Sequence, residues 1–459
     1  ENVCIESKSD CGYLIATYAF FEIIGCIFLY PGKNFEYFDD DKIPESKLKD
    51  LSVFSVRKVP SFSKRGIILN VNQRNLMNWI DYAPKIGLNC IAIDYYNKKI
   101  EEEAKREADL RGITFELRLQ TLGDDFCIHR QESFEKSEEN LMKYLQHVSM
   151  NQSNVYCFQN EGFHRKCSCK KIEKLTSFSN QLMHRLNLLI QNPLLESNKK
   201  LFYLATDNAW KVPKELPHPR IGLVLMPSHR CFNHSINSEI CDFNKLLVYP
   251  QILKLIEVFR KDGNKRPIEI CDLWLDSRTF SLNEFGSMGL KIREGTARLP
   301  IAIKAIIKDI EFFSSLKIDA YMLYARNLDS YYFNRVFSPQ INLLSKILWN
   351  TADIEPYLNN LTSFLFLENN SKELLSLNEM FDTKHFIMNS LLGYKKIIKK
   401  RIHKAETLLK SSTTQLQRKF LKNYIKEMQF LLALKARNPL IYLGAWIRLA
   451  IKKFKMTKS

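Results

Sequence analysis

No uninterrupted apolar run in this sequence reaches the ~18 to 20 residues that a membrane-spanning helix needs. The two longest are broken, Tyr18 to Tyr30 by Glu22 and Leu440 to Ile451 by Arg448. A glycine-rich phosphate cradle is also missing: no G-x-G-x-x-G follows the first strand-like segment, which argues against an open dinucleotide-binding sheet. Cysteine is too sparse and odd in number, 11 in 459 residues, for a disulfide scaffold, so most thiols are read as reduced and buried. Cys231 and Cys241, ten residues apart, could pair in an oxidising compartment. Paired Cys/His spacings of a structural zinc site are lacking around Cys157, His164, Cys167 and Cys169, which read as thiols, so neither metal nor cofactor is expected.

What is present is a chain with 45% hydrophobic and 12% aromatic residues, enough for one large core and a smaller module or two. Its formal charge of +18 is compatible with acidic polysaccharide, nucleic acid or a membrane surface. No nucleic-acid recognition motif accompanies that charge, so a nucleic-acid partner is not expected.

From Lys64 onward, β-rich runs alternate with amphipathic ones. Strands are expected at Gly66 to Val71, Asn89 to Tyr95, Ile113 to Leu119, Asn154 to Gln159, Lys200 to Thr206, Ile221 to Met226, Ile268 to Leu275 and Ala320 to Ala325. Helices are expected between them, among others at Asn75 to Ile86, Ser137 to Val148 and Tyr249 to Lys261. Eight such units over about 260 residues match the size of an α/β (β/α)8 TIM barrel. The expected division is 1–63, a shortened N-terminal α/β segment with linker; 64–345, the barrel; and 346–459, a helical region with a basic tail. That tail, Leu440 to Lys455, has two readings: peripheral contact with an anionic membrane, or a helix packed on the barrel with a cationic outer face.

Working residues of TIM barrels stand at the C-terminal ends of strands. Those ends carry Asp94 and Tyr95; Arg118; Asn160, Glu161 and His164; Asp207 and Trp210; His229 and Arg230; Asp272, Trp274 and Asp276; and Arg326. Aromatic faces suit pyranose C–H surfaces, amides and charged forks suit hydroxyls, and two carboxyls suit acid/base work, so a carbohydrate substrate is expected. Glu161 leaves an apolar strand and meets Gly162, placing its carboxyl at a turn as a general acid; the competing reading is a helix cap or a pair with Arg165. Asp272 and Asp276, four apart and on one face with Trp274 in a regular strand, compete as nucleophile or base.

The segment Tyr156-Cys-Phe-Gln-Asn-Glu-Gly-Phe-His-Arg-Lys-Cys-Ser-Cys169 resembles the strand-four motif of a bacterial family of glycoside-hydrolase-like barrels. That family is related to α-glucuronidases and α-N-acetylglucosaminidases; its motif continues into a Cys-x-Cys-x-x-Cys whose last position is Ile172 here. Ala16 to Gly25 with Tyr30-Pro-Gly32, Arg65-Gly66 with Trp79, Pro217-His-Pro219, His229 to His234 and Leu348-Trp-Asn350 are similar in the same order. The resemblance implies a glycosidase with Glu161 as acid and Asp272 near the strand-seven carboxylate, where the family more usually has Glu. The alternative expectation is a barrel that binds carbohydrate without cleaving it.

Overall fold

The computed structural model of the chain describes, with short gaps, residues 4–38, 57–69, 73–94, 98–118, 154–157, 178–275, 303–325, 340–349 and 391–411, with scattered positions elsewhere. Helix α1 (Asp10–Ile23) starts where the Ser9 hydroxyl accepts the Gly12 amide at 3.1 Å, satisfying one donor of its first turn. Strands β1 (Cys26–Phe28) and β2 (Glu36–Phe38) then form an antiparallel pair.

The main sheet has eight strands: β3 (Lys64–Leu69), β4 (Cys90–Ile93), β5 (Thr114–Leu117), β6 (Asn154–Cys157), β7 (Lys200–Ala205), β8 (Ile221–Leu225), β9 (Ile268–Asp272) and β10 (Ala320–Ala325). Every expected strand is found among the described residues, β3 beginning two residues earlier than expected, at Lys64. The pairings are parallel and run β5-β4-β3-β10-β9-β8-β7-β6, so the first and last strands of the repeat are neighbours, in register from Lys64 opposite Ala320 to Leu69 opposite Ala325. Sequences such as Ile-Gly-Leu-Val-Leu in β8 are buried at every position, as expected for a parallel sheet covered on both faces.

Helices α2 (Gln73–Tyr82), α3 (Lys98–Asp109), α4 (Phe178–Leu189), α5 (Tyr249–Arg260) and α6 (Ile303–Ser315) intervene, and α7 (Gln340–Trp349) and α8 (Leu391–Ser411) follow the last strand. In α5, Pro250 occupies the first turn, where its missing N–H costs nothing, and Ile252, Leu255, Ile256 and Phe259 form the buried stripe. The helix expected at 137–148, the Cys167/Cys169 segment and the basic tail lie outside the described residues. Among the described residues no helix is long and apolar enough to cross a membrane.

Strand alternation separates two apolar layers. Ile68, Cys90, Ala92, Tyr156, Phe202, Leu204, Val224, Cys271, Leu273, Met322 and Tyr324 form one cluster. The other holds Ile67, Ile91, Leu201, Leu223, Ile270, Trp274, Tyr321 and Leu323 with the helices, and it also takes in Ile15, Phe28 and Tyr30 of the N-terminal segment. Tyr82 ties that segment down by donating to the Phe28 carbonyl at 3.1 Å. The first cluster lies on a concave face, because polar side chains of β3, β5, β6 and β9 meet there although those strands are far apart in the sheet order.

Candidate active site

Five residues meet across the concave face. Lys64, the first residue of β3, places its ammonium 2.9 Å from Glu116 Oε1 of β5 and 3.0 Å from the Tyr156 hydroxyl of β6, and it also donates to Glu269 of β9. Arg118, just past β5, donates from Nη2 to Glu116 Oε2 at 2.7 Å, Glu269 Oε2 at 2.8 Å and the Tyr156 hydroxyl at 3.0 Å. The Tyr156 hydroxyl in turn donates to Glu269 Oε1 at 3.1 Å. Two cations face two carboxylates, so the cluster is neutral, which is what permits charges in a layer that branched aliphatics usually fill.

This electrostatic balance decides what the cluster can do. Burial pulls the Lys64 pKa down, but Glu269 and Glu116 outweigh it and leave it raised, so the amine stays protonated and is no nucleophile. Burial pushes Glu116 up, yet Arg118 and Lys64 hold its carboxyl at about 2, so it carries no proton to donate. The network positions strands; it is not an acid/base pair.

At the C-terminal rim of the same face, Asp94 follows β4 and accepts a hydrogen bond from the Tyr324 hydroxyl of β10 at 3.1 Å. Asp94 is half-buried and Tyr324 belongs to the concave cluster. The Asp94 Oδ1 is shielded from solvent, and a carboxylate oriented in this way by a phenol is suited to accept from a hydroxyl that enters the face.

Asp272 is placed differently from expectation. Glu269, Cys271 and Leu273 point to the concave face, so Asp272 and Trp274, with opposite parity, point into the layer between sheet and helices. There Asp272 accepts from the Leu273 amide at 2.7 Å and from the Tyr321 hydroxyl at 2.5 Å. Arg230 also faces this layer: Nη1 lies 3.9 Å from Asp272, Nη2 bonds Asp309 of α6, and the guanidinium lies 5.0 Å from the Trp274 ring centroid. Burial raises the Asp272 pKa against the opposing pull of Arg230, and it raises that of Asp309 to about 7.

The expected site residues that are described therefore do not all share one face. Strand parity turns Asp272 away from the concave face, and Arg230 lies with it in a buried ion cluster beside the Trp274 ring. Arg118 is on that face, but its guanidinium is turned inward to two glutamates, with Nη1 unpartnered among the described residues. Trp210, at the end of the 3-10 turn Asp207–Trp210, is half-buried against the helix-side core and accepts from Gln251 through its carbonyl. His229 is half-buried in the loop after β8. Glu161, Asp276, Tyr95, Asn160, His164 and Arg326, and the side chain of Asp207, lie outside the described residues.

Lys64, Glu116, Tyr156 and Glu269 were missed by reading strand ends alone, whereas Tyr324 stands at the end of the eighth strand, where that reading looks. The signal for one of them was parity: Glu116 lies two residues before the expected Arg118 and shares its face. Cys231 and Cys241, the candidate bridge, are not joined by a disulfide, and with His234 they form the group of soft ligand atoms closest to a metal geometry among the described residues.

No protein-family model matches the sequence. No curated protein matches it. Among solved structures it is similar to D-psicose 3-epimerase with D-tagatose from Clostridium cellulolyticum H10, at 10% identity and a TM-score of 0.36, over 70% of this chain and 99% of that one. A similarity of that size bears no weight on function.

Proposed function

We propose that this chain is a (β/α)8-barrel enzyme acting on a carbohydrate, and that it hydrolyses a glycosidic bond with Glu161 as general acid. The observation that carries the reading is Asp94: a concave-face carboxylate at the C-terminal end of the second strand of the repeat, oriented by Tyr324 from the last. Barrel enzymes of this architecture work at that end. Glu161 follows the fourth strand at the same end in sequence, and Asp276 supplies the second carboxylate. Since β9 ends at Asp272, strand alternation no longer binds Asp276 to the face on which Asp272 lies.

Asp94 then binds sugar hydroxyls beside the reacting bond, while an acid raised toward neutrality protonates the leaving oxygen. The test is release of sugar from a glycan library by the full chain. Glu161→Gln is expected to lower turnover by roughly 10²- to 10⁴-fold, the usual contribution of a positioned proton donor; unchanged turnover sinks the acid assignment.

One observation favours a second reading. With Asp272 committed to Arg230 and Tyr321 on the far face, a barrel that binds carbohydrate but has lost its second carboxylate is the alternative. It predicts glycan binding with no sugar released.

A further inference from the structure

We propose that the loop joining β8 to α5 is a zinc site, with Cys231, His234 and Cys241 as its three protein ligands and a solvent molecule in the fourth position. The two sulfurs and one ring nitrogen of His234 all lie within 4.8 Å of one another. Cys231 Sγ is 3.4 Å from His234 Nδ1. In a tetrahedral site with Zn–S near ~2.3 Å and Zn–N near ~2.0 to 2.1 Å, neighbouring S and N ligands are about 3.5 Å apart, so this pair already spans one edge of the tetrahedron.

The loop holds these atoms through bonds that no metal is needed to form. Asn244 accepts from the Cys231 amide at 2.8 Å and donates to the carbonyls of Cys231 at 2.9 Å, His234 at 3.2 Å and Ser235 at 3.0 Å. Arg230 donates to the His234 carbonyl at 3.1 Å, and Asp309 of α6 accepts the Ile236 amide at 2.7 Å. At the other end, the Cys241 carbonyl accepts from the Lys245 amide at 2.9 Å and so opens the turn that leads into the π-helical Asn244–Val248. The Cys231 and His234 end is thus fixed by the buried side chains of Asn244, Arg230 and Asp309, which act as an outer shell, and the Cys241 end by a backbone hydrogen bond.

The donor set selects the ion. Two thiols and an imidazole favour zinc over the hard cations magnesium, calcium and manganese, which prefer oxygen. No other His, Cys, Asp or Glu among the described residues joins the group, and the proposal assigns the fourth position to solvent. A disulfide would use the same two sulfurs but gives His234 no reason to meet them. Binding replaces two thiol protons with one Zn2+ and releases both to solvent, so uptake strengthens as pH rises.

The test uses the full-length chain, reduced and stripped with a chelator, titrated with Zn2+ against a chromophoric competitor and separately with Co2+ as a spectroscopic probe. Expected are one Zn2+ per chain and a Co2+ spectrum with thiolate charge-transfer and intense tetrahedral bands. Cys231→Ser, His234→Ala and Cys241→Ser should each weaken binding by about 100-fold or more. Because a variant could lose its fold, X-ray absorption on the zinc-loaded wild type gives an independent readout, with two sulfurs at about 2.3 Å and nitrogen or oxygen at about 2.0 Å. Failure of the reduced protein to bind, undiminished binding in all three variants, a shell without sulfur, or a Cys231–Cys241 cross-linked peptide in the chain as purified would each overturn the proposal.

Discussion

The Arg118 guanidinium lies 3.9 Å over the centroid of the Tyr156 ring and donates to the hydroxyl of the same residue at 3.0 Å. Arg118 lies just past β5 and Tyr156 in β6, the two ends of the sheet order, so one side-chain pair bridges the edges that backbone pairing leaves apart among the described residues. Removing one partner strands buried charge. Arg118→Met is expected to destabilise the protein by about 3 to 5 kcal/mol, as for other broken buried pairs. Tyr156→Phe should cost less, about 1 to 3 kcal/mol. Urea unfolding measures both, and equal costs would show that charge balance is not what holds the edges.

Acid should loosen the same cluster. The Glu116 carboxyl is held at about 2 in the folded protein, below its ordinary 4.5, so its stabilisation is present above that ordinary value and is lost as pH falls toward 2. Between pH 5 and 2, the wild type is expected to lose stability more steeply than Glu116→Gln. Parallel melting curves for the two across that window would contradict the assignment.

The convex cluster predicts the opposite slope. Burial, opposed by Arg230 and reinforced by the Asp272 charge, raises Asp309 from 3.8 to about 7. A raised folded pKa means that the protonated form is favoured, so the contribution is full below 3.8 and is lost as pH climbs through 7. Asp309→Asn, which cannot ionise, should reduce the fall in melting temperature between pH 5 and pH 8. An unchanged fall would place the titration elsewhere.

The two aspartates of interest should separate by assay. Asp94→Asn is expected to lower kcat/KM on a cleavable glycan by roughly 10- to 100-fold, the scale of one lost hydrogen bond to substrate, with little change in melting temperature. Asp272→Asn should lower stability and leave turnover per folded molecule unchanged. The reverse pattern would return Asp272 to the site.

Gly87 supplies a backbone test. Its φ of 85° is left-handed, and a Cβ there would lie 2.1 Å from Trp349 Nε1, whose N–H donates to the Gly87 carbonyl at 2.9 Å. Gly87→Ala should cost more than about 1 kcal/mol in thermal unfolding, because it adds a clash to an unfavourable φ.

Much of the scaffold was legible because its physics is local. Buried parallel strands need continuous apolar runs such as Leu201 to Ala205 and Ile221 to Leu225, and helices need apolar stripes such as Ile252, Leu255, Ile256 and Phe259. Strand parity was legible too: Asp272 and Trp274 do share a face, as their spacing required. The direction of that face was not legible, because alternation distinguishes two sides without saying which is concave.

The amino-acid sequence by itself determined the order of strands and helices, their approximate limits, and which residues within a strand lie together. Only the tertiary structure decided that Glu269 points to the concave face and Asp272 away from it, that Arg118 turns inward to two glutamates, and that Cys231 and Cys241 meet His234. The reason is physical. Period and propensity act over a few residues, whereas the curl of the sheet and the balance of buried charge join side chains as far apart as Arg118 and Glu269, 151 residues distant in the chain.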